Sequence, residues 1–146
     1  MITSSTAMTD WIGKRKYRSQ MTDTEIEALF NRLKSVEANG LKWRMAGHTL
    51  DRITQKGIQA DYWDIVSTIH NANMVEYKID ENKFTGEPEE RVVIASKAIV
   101  NRCYRLKAVY SLTERRIITV WINHIKDNHD TLDWSIYSED MPVFNI

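Results

Sequence analysis

His48 and Arg52 stand four residues apart in the segment Gly47–Ile58, with Gln55 and Lys56 one turn further on. At helical periodicity these positions share one face, which would present an imidazole, a guanidinium and a further polar head to a single ligand. Imidazole exchanges protons near neutral pH, and a planar guanidinium suits oxyanions. The plainer alternative is structural: a histidine at a helix start caps or decorates a surface, and Arg52 pairs with Asp61 or Asp64 on the next helix. Other constellations are thin. His124 and His129 are five apart with Asp127 and Asp130 nearby, and could ligate a metal only if that loop curled. Five glycines offer no phosphate-cradling loop, and Cys103 has no second cysteine for a redox or disulfide partner. The sequence therefore predicts no cofactor and no metal site, and it excludes most ATPases, dinucleotide enzymes and zinc hydrolases.

Charge is the second signal. Lys plus Arg (20) equals Asp plus Glu (20), which argues against binding a polyanion by bulk charge. The balance hides segregation. Arg91–Lys126 holds eight basic residues and one acid, Glu114. The preceding stretch Glu76–Glu90 has six acids and two lysines, and Asp127–Asp140 has five acids with no Lys or Arg. A further basic run, Lys14-Arg15-Lys16-Tyr17-Arg18, lies near the start. Alternating blocks can simply pair and keep a small domain soluble. They can also make one basic face flanked by acidic segments.

These residues must be positioned by a chain of 146 residues, which suits one domain with an appended helix. Thr22 and Glu25 have capping-box spacing, and Ile26, Leu29, Phe30, Leu33 and Val36 form an apolar stripe, predicting a helix over Asp23–Ala38 stopped by Asn39-Gly40. Trp11 and Ile12 are candidates to dock on the same core. Helices are also predicted over Gly47–Lys56 and Asp61–Ala72. The period then changes to two. Met74–Ile79 and Val92–Ala95 read as short strands, and a longer alternation over Ile99–Leu112 puts Tyr104, Leu106, Ala108 and Tyr110 on one face and Arg105, Lys107 and Val109 on the other. Thr113-Glu114-Arg115 reads as a turn before a central strand, Ile117–Ile122. The predicted class is α+β, helices first and then an antiparallel meander of about four strands. No apolar run approaches the roughly 20 residues that span a bilayer, and no apolar signal core follows Met1, so a cytoplasmic protein is expected.

The pattern His48-x-x-x-Arg52-x-x-x-Lys56-Gly57-Ile58, followed by a second helix and a meander ending in Ile118-Thr119-Val120-Trp121, resembles the uncharacterised families allied to the RelE/ParE and BrnT-type toxins. Those belong to the wider assemblage of barnase, EndoU-type and colicin-type nucleases. The resemblance spans about 47–123. It implies a RelE-like core over 47–126. Outside it lie an N-terminal extension over 1–46 carrying one amphipathic helix and an acidic C-terminal segment over 127–146, which Leu132, Trp134, Ile136, Tyr137, Val143 and Phe144 predict to pack on the core. For function it implies binding or metal-independent cleavage of RNA, with His48, Arg52 and Thr119 as catalytic residues. His48 would exchange the protons, Arg52 would clamp the phosphate and Thr119 would donate a hydrogen bond to it. Arg44, Lys56, Arg105 and Lys107 would follow backbone phosphates, and Trp121 would stack a base. An antitoxin or other protein partner is then expected.

A rival reading keeps the scaffold and drops the chemistry: a phage or mobile-element protein that binds a host nucleic-acid-binding protein. Here the acidic tail imitates nucleic acid. Thr119 and Trp121 would be ordinary core of a strand apolar on both faces, and Arg105 and Lys107 a solvated edge.

Overall fold

A computed structural model describes residues 7–45, 47–55, 61–100, 102–126 and 133–146. Thr22 and Glu25 close their capping box reciprocally: the Glu25 amide donates to Thr22 Oγ1 at 3.1 Å, and the Thr22 amide donates to Glu25 Oε1 at 2.9 Å. Helix α1 then runs over Asp23–Ala38 and buries Leu29, Leu33 and Val36. It ends as predicted. Gly40 adopts φ +76°, its amide donates to the Glu37 carbonyl, and the Leu41 amide reaches back to the Val36 carbonyl. Helices α2 (Gly47–Gln55) and α3 (Tyr62–Ser67) follow, and α3 continues into a 3-10 turn over Thr68–His70. Asp61 and Asp64 form the capping box that starts α3.

Six strands make one sheet: β1 (Arg15–Tyr17), β2 (Arg44–Met45), β3 (Ala72–Glu81), β4 (Pro88–Val100), β5 (Tyr104–Ser111) and β6 (Arg116–His124). Their order is β1-β3-β4-β5-β6-β2, antiparallel throughout except where β2 runs parallel to β6. The class is α+β. Two expectations are corrected. Helices do not come first, because β1 precedes α1, and the sheet has more than four strands, because β1 and β2 extend the β3–β6 meander at its two edges.

Strand β1 was hidden by its own composition. Its central Lys16 is buried, with Nζ donating to Glu25 at 3.0 Å and to the Met141 carbonyl at 3.0 Å. Partners so distant in sequence leave no local signal. Strand β4 is far longer than Val92–Ala95 for a similar reason: Glu89 and Glu90 read as loop yet are buried in ion pairs. The Ile99–Leu112 alternation is broken at Arg102, whose φ is +69°.

The pleat separates two faces. One carries Tyr77, Ile79, Val92, Ile94, Leu106, Ala108, Tyr110 and Ile117, which join α1 and α3 in a single core with Trp43, Met141 and Val143. Trp11 and Ile12 pack against it. Glu90 lies in this layer and accepts two bonds from Arg32 (2.9 and 3.0 Å), one from Tyr77 Oη and one from Asn145 Nδ2. Among the described residues, no helix is long and apolar enough to cross a membrane.

Candidate nucleic-acid interface

Register decides what the second face presents. Lys107 is opposite Trp121, Arg105 opposite Asn123 and Val109 opposite Thr119, so three of the predicted phosphate- and base-contacting residues share one face with Thr119. Across the sheet, Arg15 and Tyr17 of β1 pair with Lys78 and Glu76 of β3 and continue that face. The two-residue alternation within Lys14–Arg18 was the signal that could have found them.

Two cavities open here. One, of about 220 Å³, is lined by Tyr17, Arg18, Asn73, Arg105, Lys107 and His124, together with Asn123 and apolar neighbours. Its lining holds four basic side chains and no carboxylate. Arg105 is held in place through Nη1, which donates to the carbonyls of Ser96 (3.2 Å) and Lys97 (2.7 Å). His124 packs edge-to-face on Tyr104 at 5.4 Å. The second cavity, of about 150 Å³, lies beside Trp121, Lys107, Lys78, Arg15 and Glu76. Glu76 accepts from Arg15 Nη1 at 2.9 Å and from Tyr137 Oη at 3.0 Å. Burial lowers the Lys78 ammonium from its ordinary value, against the attraction of Asp80.

The basic window is thus divided. At the far end of this face, Arg91 binds buried Glu89 (2.9 Å) and Asp80 (3.1 Å), and Arg116 approaches Glu89 (3.8 Å) and Glu114 (3.3 Å). Arg44 stands exposed at this end and donates to the Glu114 carbonyl at 2.9 Å. Those cations are offset by carboxylates. Toward the other end the face carries Arg18, Arg105 and Lys107 around the 220 Å³ cavity, whose lining includes no carboxylate.

Helix α2 lies against β6, the strand that carries Thr119, and His48 is exposed on it. No hydrogen bond or ion pair joins His48 to Thr119 among the described residues. The Arg52 side chain, Lys56, and the Asp127–His129–Asp130 loop lie outside the described residues. Among the described residues, no cluster of His, Cys, Asp and Glu is placed to hold a metal ion. Cys103 is a half-buried free thiol.

The described part of the acidic segment, residues 133–146, flanks this face and supplies no residue to either cavity lining. Its Ser138 amide donates to the Arg15 carbonyl at 2.9 Å, and Trp134 and Tyr137 stack edge-on against Tyr17 at 5.7 and 5.9 Å. Tyr137, Met141 and Val143 are buried, while Asp133, Glu139 and Asp140 remain exposed. No protein-family model, no curated protein and no solved structure matches this chain.

Proposed function

We propose that the protein binds single-stranded RNA across the sheet face that carries Arg105, Lys107 and Trp121. The observation that supports this reading is the cavity lined by Arg18, Arg105, Lys107 and His124 without a carboxylate, beside aromatic Tyr17 and Trp121. Cations follow a phosphate backbone, and exposed aromatic edges receive unstacked bases. A duplex keeps its bases stacked and paired, so their faces are closed to Tyr17 and Trp121, whereas a single strand can splay them out.

The likeness to RelE/ParE and BrnT-type toxins adds a RelE-like arrangement and a cleaving form of the proposal. His48 takes the ribose 2′-hydroxyl proton, and the 2′-oxygen attacks phosphorus. The P–O5′ bond breaks, leaving a 2′,3′-cyclic phosphate, and the 5′-oxygen takes the proton that His48 carries to leave as a 5′-hydroxyl, while Arg52 and Thr119 hold the phosphate. The exposure of His48 on a helix lying against β6 supports this form. One observation favours the protein-binding reading: Trp134 is 53% exposed beside the exposed carboxylate of Asp133, as an acidic, aromatic docking edge would be.

The test is fluorescence anisotropy with labelled single-stranded RNA, single-stranded DNA and duplex RNA, with denaturing gels run on the same samples in EDTA, with and without ribosomes. Preferential, salt-sensitive binding of single-stranded RNA is expected, and in the cleaving form His48→Ala abolishes product without abolishing binding. Absence of RNA binding at low salt, with one stoichiometric protein captured from lysate instead, transfers the assignment to the rival.

A further inference from the structure

A separate cleft of about 720 Å³ lies between α1 and the end of the sheet where β3 begins and β4 finishes. Its floor is apolar: Ile26 and Phe30 from α1, Ile69 from the 3-10 turn and Met74 from β3. Its rim is cationic and amide-rich, with Arg18, Lys34, His70 and Lys97 against a single acid, Glu27. Asn31, Asn71 and Asn73 supply side-chain amides. The cleft shares Arg18 and Asn73 with the 220 Å³ cavity, so the two adjoin where β3 begins.

Arg18 is fixed at this junction by local geometry. It opens the 3-10 turn Arg18–Gln20, which is closed when the Tyr17 amide donates to Gln20 Oε1 at 2.9 Å. Tyr17 lines the sheet-face cavity, and the Arg18 guanidinium lies over its ring at 5.7 Å while also lining the cleft. One backbone step thus supplies an aromatic ring and a cation where the two spaces meet.

Size separates the roles of these spaces. Sites that enclose a nucleotide-sized ligand run to about 300–1,000 Å³. The two sheet-face cavities fall below that range, and the cleft falls inside it. An apolar floor beneath amide groups accepts a planar base, and a rim of cations accepts the phosphates on either side of it.

We infer that this cleft is a nucleotide subsite of the same RNA path: the strand leaves the sheet face at Arg18 and Asn73 and seats its next base against Phe30, with flanking phosphates on Arg18, Lys34 and Lys97. The inference rests on the sheet-face reading above, and it predicts a footprint bent around the β3 edge. Lys34 and Lys97 are exposed, so reversing their charge leaves the fold intact.

The experiment measures binding of a 4-thiouridine-containing RNA of about 12 nucleotides, within the ~4–16 nucleotides typical of such sites, to four proteins. They are the wild type, Lys34→Glu/Lys97→Glu, Lys107→Gln/Trp121→Ala, and a charge-matched control, Lys42→Glu/Lys83→Glu. Expected are a loss of at least tenfold for the cleft variant, little change for the control, and a wild-type photocrosslink within residues 26–34. An unchanged affinity for the cleft variant, or an equal loss in the control, overturns the subsite while the sheet face stands. Loss in the cleft variant with none in Lys107→Gln/Trp121→Ala overturns the sheet-face reading and leaves the cleft. No binding by the wild type overturns both.

Discussion

Lys107 and Trp121 stand directly opposite each other on neighbouring antiparallel strands, and both look away from the helical layer. Opposed positions bring Cβ atoms within about 5.5 Å, so the ammonium stem and the indole share one patch of surface. A cation that meets a phosphate beside a ring that meets a base is the smallest unit able to recognise one unstacked nucleotide.

The ring carries a defined share of that recognition. Stacking on an aromatic side chain is worth about 1–3 kcal/mol per base. Trp121→Ala should therefore weaken single-stranded RNA binding by roughly five- to a hundredfold, and Trp121→Phe should recover most of it. Equal affinities for wild type and Trp121→Ala in anisotropy titrations would remove Trp121 from the interface.

Lys107 leaves a different signature. Lys107→Gln should lower the slope of log affinity against log salt by about one, whatever the RNA sequence. Because Lys107 is buried, circular dichroism and a urea curve must first show the variant folded. A slope identical to wild type in a folded variant sinks the assignment.

The helical layer is held to the sheet by a second pair, Arg32 and Glu90, in two-pronged contact. Glu90 is nearly fully buried, so removing the guanidinium strands a desolvated carboxylate that keeps, among the described residues, Tyr77 and Asn145 as donors. Arg32→Ala should cost about 3 kcal/mol in urea unfolding. A loss below about 1 kcal/mol would show the pair to be solvated and weak.

Alkaline stability follows from two tyrosines. Burial, reinforced at Tyr77 by the neighbouring Glu90 carboxylate, pushes the hydroxyls of Tyr77 and Tyr110 above the ordinary tyrosine value. A raised folded value means the unfolded chain releases these protons first. The stability they confer is therefore complete below about pH 10 and is lost as pH rises beyond it, by up to about 1.4 kcal/mol per pH unit for each ring. Lys78, pushed down by burial, acts with the opposite sign and adds stability as pH climbs towards about 10.5. In a Lys78→Met background, unfolding free energy should fall between pH 9 and 11, and Tyr77→Phe should flatten the fall. Parallel curves for the two proteins would contradict this account.

Legibility in the sequence tracked the range of the interactions. Helix α1 was readable to the residue because Thr22, Glu25, Asn39 and Gly40 settle its ends within one turn. The shared face of Arg105 and Lys107 followed from a period of two, while its union with Thr119 needed the pairing of β5 with β6. Strand β1 was unreadable because Lys16 finds its partners in Glu25 and Met141. The acids of β4 looked like loop because nothing local announces Arg32 or Arg91. Arg18 was legible as part of a basic run, but its place beside Asn73 was not, because a 3-10 turn and distant strands bring the two into the same cavity linings. The zero net charge proved least informative of all: at one end of the face the cations meet Glu89, Asp80 and Glu114, whereas the cavity around Arg18, Arg105 and Lys107 has no carboxylate in its lining.

The two outermost strands are only three and two residues long, against eight to thirteen for the four between them. Their brevity leaves an incoming copy almost no ladder to extend, and Tyr137 already bridges the outer side of Arg15. Outermost strands this short blunt the sheet against edge-to-edge pairing with a second copy at those two places.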